Sequence, residues 1–282
     1  MARRIPRPVK RQLLALAFAA TAFAQQSALD SISAASLRAN VTYLASDELE
    51  GRDTPSRGLD KAADYIADQF KKAGLDPING SYFQVAKMSE LGTRGQQILR
   101  GLPEGSPNEA RNVVGLLRGS DPALRDTYII VSSHYDHVGM GGNAEDKIFN
   151  GANDDASGSA SVIELARALA AANPRPKRSI LFMTFFGEER GLLGSRYYGT
   201  HPLVPPVATI AQVNLEQMGR TDATNGPQIK GANLTGFDFS DLPSILAEAA
   251  GSAGVRIWKD MPSSDAYFGL SDNQSLADLG IP

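Results

Sequence analysis

The sequence predicts an α/β fold: a mostly parallel, twisted sheet flanked by helices. Three observations carry this. From about residue 127 onward, apolar strand runs alternate with helical runs. Three of the strand runs end on ionisable residues. A glycine-rich acidic turn opens the helix between the first two of those strands. Strands separated by helices pair in parallel through crossovers, and a parallel sheet needs cover on both faces.

The elements follow in order. A helical region begins near Ser33, where Leu59, Ala62, Ala63, Ile66, Phe70 and Ala73 recur at helical spacing and Gly74 marks a stop. Residues 76–110 are rich in Gly, Pro and polar side chains and read as loop, with one strand around Tyr82–Val85. TYIIVSS (127–133) reads as a buried strand and SGSASVIELARALAAA (157–172) as a helix with Val162, Leu165, Ala166 and Leu169 on one face. RSILFMTFF (178–186) is a second strand run, GLLGSRYYG (191–199) a short helix and VATIAQVNL (207–215) a third strand. A helix over 240–254 and a short strand at 255–258 close the pattern. The chain stops at Gly280-Ile281-Pro282 where a further apolar strand is expected, so the C-terminus reads as incomplete.

Composition narrows the chemistry. At 282 residues, 42% hydrophobic and 21% charged, the chain is of ordinary globular type rather than fibrous or disordered. It contains no cysteine, which excludes disulfides, thiol nucleophiles, iron–sulfur clusters and cysteine-based zinc sites. Any histidine chemistry must pass through His134, His137 or His201. A formal charge of −3 gives no basic excess for nucleic acid.

The N-terminus has the form of a secretory signal. Arg3, Arg4, Arg7, Lys10 and Arg11 precede the apolar run LLALAFAATAFA (13–24), which ends on Ala22-Phe23-Ala24. A basic start, a short apolar run and an A-x-A ending define a signal peptide, and the run is shorter than the ~20 residues of a membrane-spanning helix. Cleavage after residue 24 removes five positive charges and no negative one, taking the formal charge from −3 to −8. The expectation is an exported protein, periplasmic or extracellular, with no stable membrane anchor after cleavage and a single domain over 25–282.

In open α/β sheets, ligands bind outside the carboxyl ends of the strands. Those ends here are Ser133-His134-Tyr135-Asp136-His137, Gly187-Glu188-Glu189 and Asn214-Leu215-Glu216. Between the first two lies Gly151-Ala152-Asn153-Asp154-Asp155-Ala156-Ser157-Gly158. Taken singly, each has an ordinary structural explanation: an Asp-Asp pair before a helix can be a cap, and Glu-Glu after a strand a solvated turn. Convergence on one sheet edge points instead to a two-metal hydrolase. Imidazole and carboxylates suit Zn²⁺, and a carboxylate can bridge two ions.

The segments SHYDHVG, NGANDDASGSA, FFGEERGLLGS and VNLEQMGR resemble the zinc aminopeptidases of peptidase family M28, which have a phosphorylase/hydrolase-like α/β fold. SDELEGRDTPSRGLDKAADYIADQFKKAGLDP (46–77) is similar to the start of secreted bacterial members. The resemblance implies that His134 binds one metal with Asp136 orienting it, that Asp154 bridges two metals, and that the Asp154–Asp155 peptide is cis. It implies Glu188 as general base, Glu189 on the second metal, and Glu216 in place of the family's usual aspartate on the metal of His134. In SDNQSLADLGIP (271–282), Asn273 stands where the family has histidine, and an amide oxygen is a poorer zinc ligand than imidazole.

The implied activity is aminopeptidase hydrolysis of a peptide substrate by metal-activated water, with one tight zinc and a second that is weak or exchanged. Two other readings keep the fold: a catalytically impaired binding or scaffold domain, and a single-zinc glutaminyl cyclase-like acyltransferase.

Overall fold

The computed structural model describes residues 30–143, 145–220, 230–259 and 264–282. The signal peptide expected at 1–24 lies outside them. Among the described residues no helix is long and apolar enough to cross a membrane.

Two helices lead into the sheet. α1 (Ala34–Leu44) begins where the Ser33 hydroxyl accepts the Ser36 amide, and α2 (Arg57–Lys72) where the Ser56 hydroxyl accepts that of Leu59. Each serine satisfies a first-turn donor that the helix cannot pair itself. α2 buries Leu59, Ala62, Ala63, Ile66 and Phe70, the apolar face read from the sequence.

Five strands form the main sheet: β1 (Phe83–Lys87), β2 (Glu109–Leu117), β3 (Tyr128–His134), β4 (Ser179–Phe185) and β5 (Thr209–Asn214), in the order β1-β2-β4-β3-β5. The α/β class holds, but the sheet is mixed rather than mostly parallel. β3 pairs in parallel with β4 and β5, while β1 with β2 and β2 with β4 are antiparallel. The sequence reading caught the parallel half, where crossover helices announce each strand. It passed over β2, which joins by antiparallel pairing, and over a helix α3 (Gly92–Gly101) inside the stretch read as loop. α3 carries Gly92, Gly95 and Gly101, and glycine is a poor helix former.

α4 (Ser157–Ala171) joins β3 to β4, and α5 (Leu193–Thr200) joins β4 to β5. After β5 come β6 (Gly231–Asn233), α6 (Leu242–Ser252), β7 (Arg256–Trp258), α7 (Ser264–Phe268) and α8 (Asn273–Ala277). β6 and β7 form a separate parallel pair. Along the strands of the main sheet, alternate residues face opposite sides. Val113, Val131 and Phe182 pack with Phe70, Val162 and Ala166, whereas Val114, Ile130 and Leu181 pack with Tyr198, Val204 and Leu276. α2 and α4 therefore cover one face of the sheet, and α5 and α8 the other.

The register places the site. His134 pairs with Phe185, so β3 and β4 end level with one another, and β5 ends two residues earlier, with Asn214 opposite Ser132. The connection after β3 leads to its neighbour on one side, and the next leads across to the other side. The carboxyl end of β3 is thus a topological switch point, where a crevice opens for ligands.

Candidate metal centre

His134, the last residue of β3, is fully buried, and neither ring nitrogen has a hydrogen-bonded partner. Nδ1 lies 3.5 Å from Asp136 Oδ1, and Nε2 lies 3.1 Å from Asp154 Oδ1 without the alignment of a hydrogen bond. Burial by itself would depress the His134 pKa, but Asp136, Asp154 and Asp155 raise it well above the ordinary histidine value. Glu216, just past β5, completes a group: His134, Asp154 and Glu216 each present a ligand atom within 4.8 Å of the others.

A second group shares Asp154. His137, Asp154 and Glu189 also present ligand atoms within 4.8 Å of one another, and His137 Nδ1 is 2.7 Å from Glu189 Oε1. Each group offers one imidazole and two carboxylates, the donor set of zinc. A buried imidazole left unpaired on both nitrogens, facing carboxylates that are themselves crowded, fits a site made for a divalent cation.

The turn at Ala152–Ala156 gives its two aspartates different tasks. The Asp154–Asp155 peptide is cis. Asp154 is directed to the histidines, and its Oδ2 accepts from Gln217 Nε2 at 3.3 Å. Asp155 is buried and accepts the amides of Gly158 and Gln217, each at 3.0 Å, so it caps the start of α4 and ties it to the β5 end. Asp155 thus acts as the cap, while Asp154 is left facing the two histidines.

Glu188 follows β4. Its backbone N–H donates to Asp136 Oδ1 at 3.1 Å, and its Oε2 lies 3.9 Å from His134 Nε2. Burial pushes its carboxyl up to about 9, with Asp272, Glu216 and Asp136 adding to the shift and His134 opposing it. Asp272 is fully buried in the same surroundings and is pushed up to about 7 by burial. Carboxyls crowded in this way are those whose charged forms a bound cation would favour.

Arg52 braces the site from behind. It is fully buried, and its guanidinium donates to the carbonyls of Tyr135 at 2.7 Å, Asn150 at 2.7 Å, Gly151 at 3.0 Å, and Leu44. Burial lowers its pKa to about 10, so it remains a cation at neutral pH, with Asp136 and Asp155 favouring that charge. Its neighbour Asp53 accepts from Arg190, which directly follows Glu189.

The structure therefore brings His134, Asp136, Asp154, Glu188, Glu189 and Glu216 to one strand-end cleft. Asn273 is the departure. It stands at the start of α8, where its Nδ2 donates to the Phe268 carbonyl at 2.9 Å, and it makes no hydrogen bond to Asp154 or Glu189. The imidazole beside those two carboxylates is that of His137. His201 is exposed and stacks on Tyr197 with ring centroids 4.4 Å apart, outside both groups. Arg52, Gln217 and Ser271 lie inside the segments quoted from the sequence, but no role is legible for them there, because it is set by what the chain folds against them. The signal for His137 was its three-residue spacing from His134.

A family model for peptidase family M28 matches residues 112–282, from within β2 to the last residue. A probable zinc metalloprotease of Pyricularia oryzae is 33% identical over 260 residues, covering 90% of this chain and 47% of the relative. One from Pyrenophora teres f. teres is 30% identical over 257 residues, covering 90% and 48%. The chain spans about half the length of these curated relatives. Among solved structures, an aminopeptidase from Aneurinibacillus sp. strain AM-1 superposes with a TM-score of 0.64 at 18% identity, covering 92% of this chain and 85% of that one. The Bacteroides thetaiotaomicron glutaminyl cyclase superposes with a TM-score of 0.62 at 17% identity, covering 88% and 81%. These two likenesses concern the fold. By the match over 112–282, the chain belongs to peptidase family M28.

Proposed function

We propose that the chain is an exported, metal-dependent exopeptidase that removes N-terminal residues from peptides. The observation that carries this is the place of Glu188: a carboxyl 3.9 Å from His134 Nε2 and anchored through its backbone to Asp136, beside two ligand groups that share Asp154. His134, Asp154 and Glu216 would hold one zinc, and bound zinc supplies Lewis-acid polarisation of a carbonyl oxygen and acidifies water. The charge of bound metal would favour ionised Glu188, and its Oε2 then takes the proton from the water that attacks the peptide carbonyl and returns it to the departing amine. Asp136 faces His134 Nδ1 and keeps the Glu188 backbone in register for that transfer. The choice of the amino end is supported by relatives of the same fold described as aminopeptidases. Export is supported by the sequence of residues 1–24.

The test is hydrolysis of a panel of aminoacyl p-nitroanilides and their N-acetylated counterparts, with and without a chelator. Release from the free-amino substrates alone, abolished by chelator and restored by zinc, is the expected result. Cyclisation of a glutamine-initiated peptide without hydrolysis would assign the chain to acyl transfer. Peptide binding without turnover would make it a binding domain.

A further inference from the structure

The cleft holds a histidine whose place has no counterpart in the resemblance drawn from the sequence. His137 lies three residues beyond His134, past the end of β3, with its backbone N–H donating to the Arg52 carbonyl at 3.2 Å. Its ring reaches Glu189 at 2.7 Å and comes within ligand range of Asp154. Room for the ring depends on Gly151. A Cβ built there would stand 2.6 and 2.7 Å from two carbon atoms of the imidazole, and the residue's φ of 60° already disfavours a side chain. The acidic turn is thus cut away where the imidazole lies. The residue that would otherwise serve, Asn273, is tied through its Nδ2 to the Phe268 carbonyl at the end of α7.

We propose that His137 supplies the nitrogen ligand of the second metal, together with Asp154 and Glu189, and that Asn273 is not a ligand. This rests on the reading of the cleft as a metal centre. The two groups then have the same composition, one imidazole, one glutamate and the shared aspartate, so their affinities for zinc should be comparable rather than one tight and one weak. The ligand has moved from the last helix to the end of β3, next to the residue that orients the first histidine. Asp136 lies between the two histidines in sequence, and one strand end thereby positions nitrogen donors for both metals.

The experiment is calorimetric titration of zinc into chelator-stripped full-length mature protein, with bound zinc counted independently by elemental analysis. Wild type should take up two zinc ions per chain. His137→Ala and His137→Gln should each weaken one site by about 100-fold or more, since even residues that only orient a ligand contribute about 10–100-fold. Asn273→Ala should leave both sites within about threefold of wild type, well inside the tenfold that 1.4 kcal/mol represents. Retention of two undisturbed sites in both His137 variants, or loss of one site in Asn273→Ala, overturns the proposal. Wild type that binds no zinc at all overturns the metal-centre reading itself. Circular dichroism in chelator identifies a variant that has not folded. X-ray absorption at the zinc edge of wild type then decides independently: an average of one imidazole per zinc supports the assignment, and half an imidazole per zinc overturns it.

Discussion

The Ser271 hydroxyl donates to Glu216 Oε2 at 2.5 Å and is the last link in a directed chain of hydrogen bonds. Gln212 Nε2 donates to Ser132 Oγ at 2.8 Å, Ser132 Oγ to Asn214 Oδ1 at 2.8 Å, and Asn214 Nδ2 to Ser271 Oγ at 3.0 Å. Each bond polarises the next in the same sense, toward the carboxylate. Two strands and the loop before α8 thereby hold one glutamate in place.

Ser271→Ala removes the bond that orients Glu216 without touching a ligand atom. Zinc affinity at the His134 group should fall about 10–100-fold, the usual effect of losing a partner that orients a ligand. Calorimetric titration measures it, and unchanged affinity would show that Glu216 is held by other means.

Glu188→Gln keeps shape and hydrogen-bonding reach while losing the proton acceptor. Turnover should fall about 10²–10⁴-fold, with zinc content and thermal midpoint unchanged. Steady-state kinetics beside metal analysis checks both halves. Activity near that of wild type would place the base elsewhere.

Arg52→Met replaces a buried cation that satisfies four backbone carbonyls. Each buried carbonyl left unpaired costs about 1–3 kcal/mol, so four of them imply a loss of about 4 kcal/mol or more in unfolding free energy. Arg52→Lys should recover little of it, because an ammonium cannot match the planar fork. Urea denaturation of both variants decides, and a shift below about 1 kcal/mol would refute the bracing role.

Gly158→Ala tests the close packing behind the acidic turn. A Cβ there would meet the Leu215 carbonyl oxygen at 2.2 Å and the Asp155 carboxylate at 2.4 Å. Overpacking of this kind costs about 1–3 kcal/mol, and here it also pushes on the cap of α4. Gly251→Ala in α6 has nothing within 4 Å and should instead gain about 0.4–1 kcal/mol. Thermal melts that fail to separate the two variants in sign would contradict the packing argument.

Export predicts a mature chain beginning near Gln25. N-terminal sequencing of the protein recovered outside the cytoplasm is the measurement, and material still starting at Met1 would discard the signal-peptide reading.

What the sequence by itself determined were the parts whose physics is local. Helical spacing in α2, the apolar runs of β3, β4 and β5, and the carboxylates and histidine placed where those strands end are readable because periodicity and strand termini leave a mark within a few residues. His134, Asp136, Asp154, Glu188, Glu189 and Glu216 come together at one cleft for that reason. Tertiary structure alone decided the remainder. β2 enters the sheet by pairing with strands distant in sequence, and antiparallel pairing needs no crossover helix to give it away. Arg52 matters because four carbonyls from three separate segments converge on it. Whether Asn273 or His137 stands beside Glu189 depends on how the last helix packs and on the space left open over Gly151, quantities that arise only when the chain is closed on itself.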